Sequence, residues 1–533
     1  MADYQVVIVG GGMAGLTAAA FLCQAGCSVL LCEKEDKVGG LVNSFEYKGF
    51  VFDGGIRAIE NSGIVRPMLK QLGLDVPFVN NSVSIGIGQD VVNLKSKDSL
   101  QDYLRLLRDQ FPENSRDIDQ FGLEIQKIMG YMDVLYGIDN PLFMNLKEDP
   151  RYLTETLLPW LFKYLGTIRK IDHLNMPVDG YLQNISKNQA LIDMIAQHFF
   201  KQTPTFFALS YFSLYLDYQY PLDGTGSLVD RIKQYILEHQ GEIRCGTEIV
   251  RLDPTLGQIE DQAGNVYSYQ KLIWSADLKR LYQSVDTGKI SKKRVRQAVE
   301  AQKECLADKT GNDSILTLYL TLDMDSSYFA RIANAHLFYT PDKAGLNSLD
   351  STTIMQPDGR GYSNDKQVIL TWLKKYLELT TFEISCPAMR NVKLAPEGKT
   401  GLIISTLFDY PLASHIEKMG WYDEFKAFSA QTIIDVLNAS IYPEFKNKVM
   451  DSFVSTPLTL QKLTGNTDGA ITGWSFTNSS IPAVNRMSKV AKSVLTPIPN
   501  VLQAGQWVFS PSGLPISILT GKLAADQARK KLK

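Results

Sequence analysis

The stretch VVIVGGGMAGLTAAAFLCQAGCSVLLCE, Val6 to Glu33, leaves this chain few folds to choose from. Val6-Val7-Ile8-Val9 is apolar and β-branched throughout, as a strand buried on both faces of a parallel sheet must be. The glycines end it. Gly10 permits a tight turn, Gly12 lets the backbone approach a pyrophosphate, and Gly15 lets the following helix pack against the strand. The helix then turns free N–H groups and the positive end of its dipole toward the phosphates. Ser28 to Cys32 read as the next strand, and Glu33 ends it about 20 residues beyond the glycines, where an acid accepts hydrogen bonds from a ribose 2′-hydroxyl. An acid there disfavours a 2′-phosphate, so FAD or NAD is expected rather than NADP.

A GxGxxG alone is weak evidence, but here a strand precedes it, a helix contains it and an acid follows at the right distance. The same stretch is a poor signal peptide or membrane helix. Asp3 is the only charge before it, and three consecutive glycines interrupt it. The 533 residues exceed what one hydrophobic core usually supports, so two joined domains are expected. A net charge of −2 gives no general electrostatic case for nucleic acid. The six cysteines form no CxxC pair and no zinc spacing, and they read as buried, reduced thiols in a cytoplasmic protein. The five histidines are scattered singly, so no metal is expected.

Beyond Glu33, Gly39-Gly40 precedes a hairpin expected over Leu41 to Tyr47 and Phe50 to Phe52, and Gly54-Gly55 follows Asp53. From about Ile64 to Tyr220 the pattern changes to amphipathic helices, rich in aromatic residues that read mainly as helix core. Among these are Phe143, Trp160, Phe162, Tyr164, Phe207, Tyr211 and Tyr215, and their density beside a cofactor domain also suits an apolar pocket. A helix over Ser227 to His239 and strands near Ile243-Arg244, Glu248 to Leu252 and Lys271 to Trp274 resume the first domain. Ser314 to Tyr319 and Gly401 to Leu407 read as strands of a second sheet, and Val501 to Ala525 as a strand, glycine loop and helix completing the first.

Taken together, GGGMAG, Glu33, VGG, FDGG, YPLDGTGSLVDRI with EIV, LAPEGK and AGQWVFSPSGLPISILTGKLAA resemble the FAD-dependent phytoene desaturases, carotenoid cis–trans isomerases and retinol saturases of the flavin amine oxidase superfamily. The resemblance implies an α/β fold: a discontinuous Rossmann-like FAD-binding domain (1–75, 215–300 and 465–533) and an α+β substrate domain of mixed sheet and helices (76–214 and 301–464). It further implies that Gly10, Gly12 and Gly15 hold the pyrophosphate, Glu33 the ribose, and Gly40 and Leu41 the phosphates. Val250, next to Ile249, would meet the adenine. Gly505, Gln506, Gly513, Leu514 and Pro515 would run along the flavin. Met13, Ala14, Lys34, Gly54, Gly55, Ile56 and Ala276 complete the implied cofactor contacts. Where many relatives carry Arg after the second glycine pair this chain has Leu41, which leaves Arg57 as a candidate phosphate cation.

The implied activity is hydride transfer at flavin N5 on an apolar isoprenoid or polyene, as desaturase, isomerase or saturase. The rival readings are a flavin amine oxidase and a catalytically silent FAD-bound lipid-binding protein. Arg57, Asp217 and Tyr220 are weak catalytic candidates, since each is more often structural. Lys289, Lys292, Lys293, Arg294, Arg296 and the terminal ARKKLK read first as solvated surface and second as contacts for anionic headgroups, which leaves peripheral membrane association open. The sequence assigns no oligomeric state.

Overall fold

The computed structural model describes residues 3–144, 151–530 and 532, so Lys531 and Lys533 of the terminal basic run lie outside the described residues. Val6, Val7 and Ile8 are fully buried. They sit at the centre of a sheet because Tyr4–Val9 pairs in parallel with Val29–Cys32 on one side and Val266–Trp274 on the other. Glu242–Arg244 extends the sheet beyond Val29–Cys32, and Val501–Gln503 pairs in parallel with the end of Val266–Trp274. The first half of Val266–Trp274 instead takes an antiparallel partner, Gln258–Asp261, which pairs with Ile249–Asp253. Residues from both ends of the chain therefore share one sheet.

The helices Met13–Gln24 and Leu514–Lys530 cross on small residues. A Cβ on Gly521 would lie 2.3 Å from the Ala14 carbonyl oxygen, so any larger side chain would force the two helices apart.

A second seven-stranded sheet runs in the order Val449–Ser455, Ser314–Leu322, Thr400–Phe408, Phe382–Ser385, His336–Thr340, Val83–Ile87, Asp90–Leu94. It is antiparallel except where His336–Thr340 lies parallel to Val83–Ile87. In Ser314–Leu322 the two-residue period sorts the side chains. Leu316, Leu318, Leu320 and Leu322 enter a core under the helices Lys366–Leu379 and Tyr422–Ser440, while Tyr319 packs with Phe50 and Phe52 of the neighbouring hairpin.

Four expectations need correction. The region from Ile64 to Tyr220 is not helical throughout: Phe78–Asn80, Val83–Ile87 and Asp90–Leu94 are strands. Val83, Ile85 and Ile87 alternate in a short apolar run that ends at Gly88, too short for a helix and suited to a sheet. Phe162, expected in helix core, is 77 % exposed, because the helix Leu158–Ile171 buries little of itself. Cys305 is exposed rather than buried, although all six cysteines are free thiols. The hairpin strand also begins at Ser44, later than expected, because Gly39 to Val42 form a turn, with the Val42 N–H donating to Gly39 O.

Candidate active site

A cavity of about 1000 Å³ opens at the carboxyl ends of the parallel strands, where ligands of open α/β sheets bind. The turn at Gly10 forms one wall. Its φ of 98° is open to glycine and costly for other residues. Behind the turn, a Cβ on Gly15 would come within 2.0 Å of the Gly10 carbonyl oxygen, and the Ser275 hydroxyl donates to that same oxygen at 2.8 Å. Gly12 heads the helix without a side-chain cap, and nothing lies within 4 Å of where its Cβ would be. The helix end is thus free of a side-chain cap and open at Gly12, as an anion-binding helix end requires. Glu33 accepts from the Gly11 N–H at 2.6 Å and from the Glu35 N–H at 3.0 Å, and burial pushes its carboxyl up in pKa. It therefore braces the loop as well as facing the cavity.

Of the residues singled out from the sequence, the cavity is lined by Gly10, Gly12, Met13, Ala14, Glu33 and Lys34 at the first turn, and by Gly40, Leu41, Gly54 and Ile56 from the hairpin. Ile249, Val250 and Ala276 line it from the sheet, and Gly505, Gln506, Gly513 and Leu514 from the C-terminal loop. Gly15, Gly55, Arg57 and Pro515 do not reach its surface. Gly15 and Gly55 are packed under the walls, the latter with its Cβ position 2.0 Å from the Leu41 carbonyl oxygen. The C-terminal loop is tied down by the Gly505 N–H, which donates to the Thr520 hydroxyl at 3.0 Å. Other wall residues escaped sequence reasoning. Ser275 and Asp277 stand at the carboxyl end of a parallel strand, a position that could have flagged them; Tyr319, Phe453 and Lys462 come from the second sheet and a helix beside it, with no motif to mark them.

Each of the three catalytic candidates is held by protein partners. Arg57 is 3 % exposed and turns away from the cavity, donating to Glu383 Oε2 at 2.7 Å and to the Ser405 hydroxyl at 2.6 Å. It cannot serve as the expected phosphate cation from there. The paired guanidinium and the His336 ring, whose Nε2 lies 3.1 Å from Glu383 Oε1, hold the Glu383 carboxyl down at about 2 despite burial. Burial in turn lowers His336, against the pull of Glu383. Asp217 accepts the Asn61 and Ser62 N–H groups at 2.9 and 3.2 Å. Tyr220 is fully buried and donates to Asp53 Oδ2 at 2.7 Å, with the Arg390 guanidinium over its ring.

A cluster of aromatic rings lies near the C-terminal loop. Phe207, Tyr211, Tyr215 and Phe338 form a chain of ring contacts at 5.4, 5.6 and 4.8 Å, and Tyr218 contacts Tyr215 at 5.6 Å. Glu60 stands beside this chain, paired in register with Tyr218. Its Oε1 lies 3.6 Å from the Cβ position of Gly513, which itself lines the larger cavity. Burial, followed by the neighbouring Asp217, raises the Glu60 carboxyl to about 7.

This fold and cradle define a Rossmann-type dinucleotide-binding protein with a mixed-sheet second layer. Residues 8–72 match the NAD(P)-binding Rossmann-like domain family. The chain is 23% identical to an all-trans-retinol 13,14-reductase of Rattus norvegicus over 98% of its own length and 85% of that protein. It is 19% identical to a 4,4'-diapophytoene desaturase of Staphylococcus aureus (strain COL), covering 99% of each. An inactive all-trans-retinol 13,14-reductase of Danio rerio is 24% identical, but the match spans only 42% of that protein and 47% of this chain. Among solved structures, a putrescine oxidase with putrescine bound shares the fold at a TM-score of 0.58 and 13% identity, over 99% of each chain. The chain is thus similar along nearly its whole length to a retinol 13,14-reductase and a diapophytoene desaturase, and it shares its fold with a putrescine oxidase. Among the described residues, no helix is long and apolar enough to cross a membrane.

Proposed function

We propose that this chain is an FAD-dependent oxidoreductase acting on an apolar polyene, with a carotenoid or retinoid as the substrate class. The observation that carries the reading is the continuity of the cavity. It runs from Gly12 past Gly40 and Val250 to Gly505 and Gly513, longer than a nicotinamide-domain turn needs and built from both ends of the chain. Its volume is at the upper end of the about 300–1,000 Å³ of small-molecule sites. The uncapped helix end behind Gly12 suits a pyrophosphate, and Glu33 faces the cavity where a ribose would lie. When bound, a flavin supplies a carrier for two electrons and a hydrogen. The chain's own part is positioning and exclusion of water: Tyr319 and Phe453 cover the cavity from the second sheet, their rings stacked 4.8 Å apart, and the ring chain from Phe207 to Phe338 offers an apolar berth beyond Gly513. The names of the two full-length relatives, a retinol reductase and a diapophytoene desaturase, support the substrate class.

Peripheral membrane contact is part of the proposal, since a polyene dissolves in lipid. Leu158, Leu161, Phe162 and Leu165 are all well exposed on one helix that also carries Lys163, Arg169 and Lys170, a more apolar surface than the Lys289 to Arg296 cluster. The test is direct. Purified protein should carry a flavin spectrum and, once reduced without oxygen, should saturate or isomerise a retinoid or carotenoid, or when oxidised should desaturate one. Rapid flavin reduction by amines and none by polyenes would favour the amine oxidase reading. Bound flavin that resists every reductant would favour a silent lipid-binding protein, a reading with some support in the inactive relative.

A further inference from the structure

We propose that Glu60 is the proton-exchanging catalytic residue of this site, placed between the cofactor loop at Gly513 and a cluster of tyrosines. The role rests on the flavin–polyene reading above. The short strand Ile59–Glu60 pairs with Tyr218–Pro221, and Ile59 anchors it in the core of the cofactor domain. Ile59 points into that core, so the two-residue period turns Glu60 the other way. The turn after Glu60 is held by Asp217, which accepts both the Asn61 and Ser62 N–H groups. The carboxyl is therefore fixed by its backbone and not by its own contacts.

Those contacts are the informative part. Among the described residues, the Glu60 carboxyl has neither a hydrogen-bond nor a salt-bridge partner, and neither do the hydroxyls of Tyr136, Tyr211 and Tyr218 around it. A carboxyl enclosed by protein is normally paired, because leaving it unpaired is costly. Glu60 is surrounded by protein groups yet keeps intermediate exposure. The groups that face it are Asp217 and Tyr218 from its partner segment, Tyr211 from the helix Thr205–Asp217 and Tyr136 from the helix Ser115–Tyr136, with no cation among them. The Arg66 guanidinium acts on Asp217 instead. This surrounding keeps the carboxyl protonated to about pH 7, the range in which a general acid and its conjugate base are both usable.

The step balances in either direction. For saturation, one alkene carbon gains a hydride from reduced flavin as the flavin N5–H bond breaks. Glu60 gives its proton to the adjacent carbon; two C–H bonds form, the π bond is lost, the flavin is oxidised and Glu60 is left as carboxylate. Solvent protons then restore the acid. For desaturation, Glu60 as carboxylate takes the proton while flavin takes the hydride.

The test compares wild type with Glu60→Gln. In infrared spectra of the full chain without turnover, the wild type should show a protonated carboxylic acid at pH 6 that fades by pH 8 and is missing from E60Q. E60Q should hold FAD within about threefold of wild type yet lose about 100-fold or more in kcat, the lower range for loss of general acid–base catalysis. The limb of the wild-type pH profile near 7 should vanish with it. E60Q that turns over polyene within threefold of wild type with the same pH profile overturns the role, as does a wild-type Glu60 ionised at pH 6. Wild type that binds no flavin, or binds it and turns over no polyene, instead overturns the proposed function and this role with it.

Discussion

Glu383→Gln tests whether the buried ion pair at the centre of the second sheet is structural. Glu383 faces Arg57 on one oxygen and His336 on the other, and these neighbours bring its carboxyl from 4.5 to about 2. At about 1.36 kcal/mol per pKa unit this corresponds to about 3 kcal/mol, and solvent contact on a side chain 30 % exposed reduces it to about 2 kcal/mol. The folded-state pKa is depressed, so this stabilisation is present above about pH 4.5 and is lost as pH falls toward about 2. Glutamine keeps the shape and one acceptor but not the charge. Urea unfolding of wild type and E383Q should differ by about 2 kcal/mol at pH 7, and the difference should shrink to less than half at pH 3. A difference that is the same at both pH values, or is absent at pH 7, would refute the assignment of Arg57 and Glu383 to the framework.

Gly15→Ala would place a methyl 2.0 Å from the Gly10 carbonyl, so the purified variant should lack cofactor absorbance and melt below wild type. Because the Glu60 carboxyl is raised to about 7, its ionisation costs nothing below about pH 4.5 and its full cost is present above about pH 7. E60Q should therefore be more stable than wild type at pH 8, by about 3 kcal/mol, and within about 1 kcal/mol of it at pH 5, as read by urea unfolding. Tyr220→Phe removes a hydrogen bond to Asp53 and no catalytic group; it should lose about 1–2 kcal/mol of stability and keep its kcat. Phe162→Glu with Leu165→Glu should lower recovery on floated anionic vesicles several-fold while leaving the flavin spectrum unchanged.

The cradle was legible in the sequence because its chemistry is local. A strand, three glycines, a helix and an acid must occur at fixed spacing, and the glycine pairs that extend it also stand beside turns. The strands Tyr4–Val9 and Val29–Cys32 were legible for the same reason, as short apolar runs beside glycines. Val83–Ile87 and Asp90–Leu94 were hidden inside a helical stretch, since short apolar runs are ambiguous and Val83–Ile87, which joins Asp90–Leu94 to the sheet, pairs with the distant His336–Thr340. Arg57 looked like a phosphate cation because it follows Gly54-Gly55, but Glu383, which binds it, is 326 residues away in the chain. Glu60 carried no motif at all. Its character arises from what tertiary packing withholds: an opposite charge and a hydrogen-bond donor.

The most direct test of the central claim is the absorbance spectrum of the purified protein, followed by its melting temperature with and without added FAD. A bound flavin, or a melting temperature that rises with FAD and not with NAD or NADP, is the expected result. Protein that is colourless and whose melting temperature is unmoved by FAD would contradict the reading of the cavity from Gly12 to Gly513 as a flavin site.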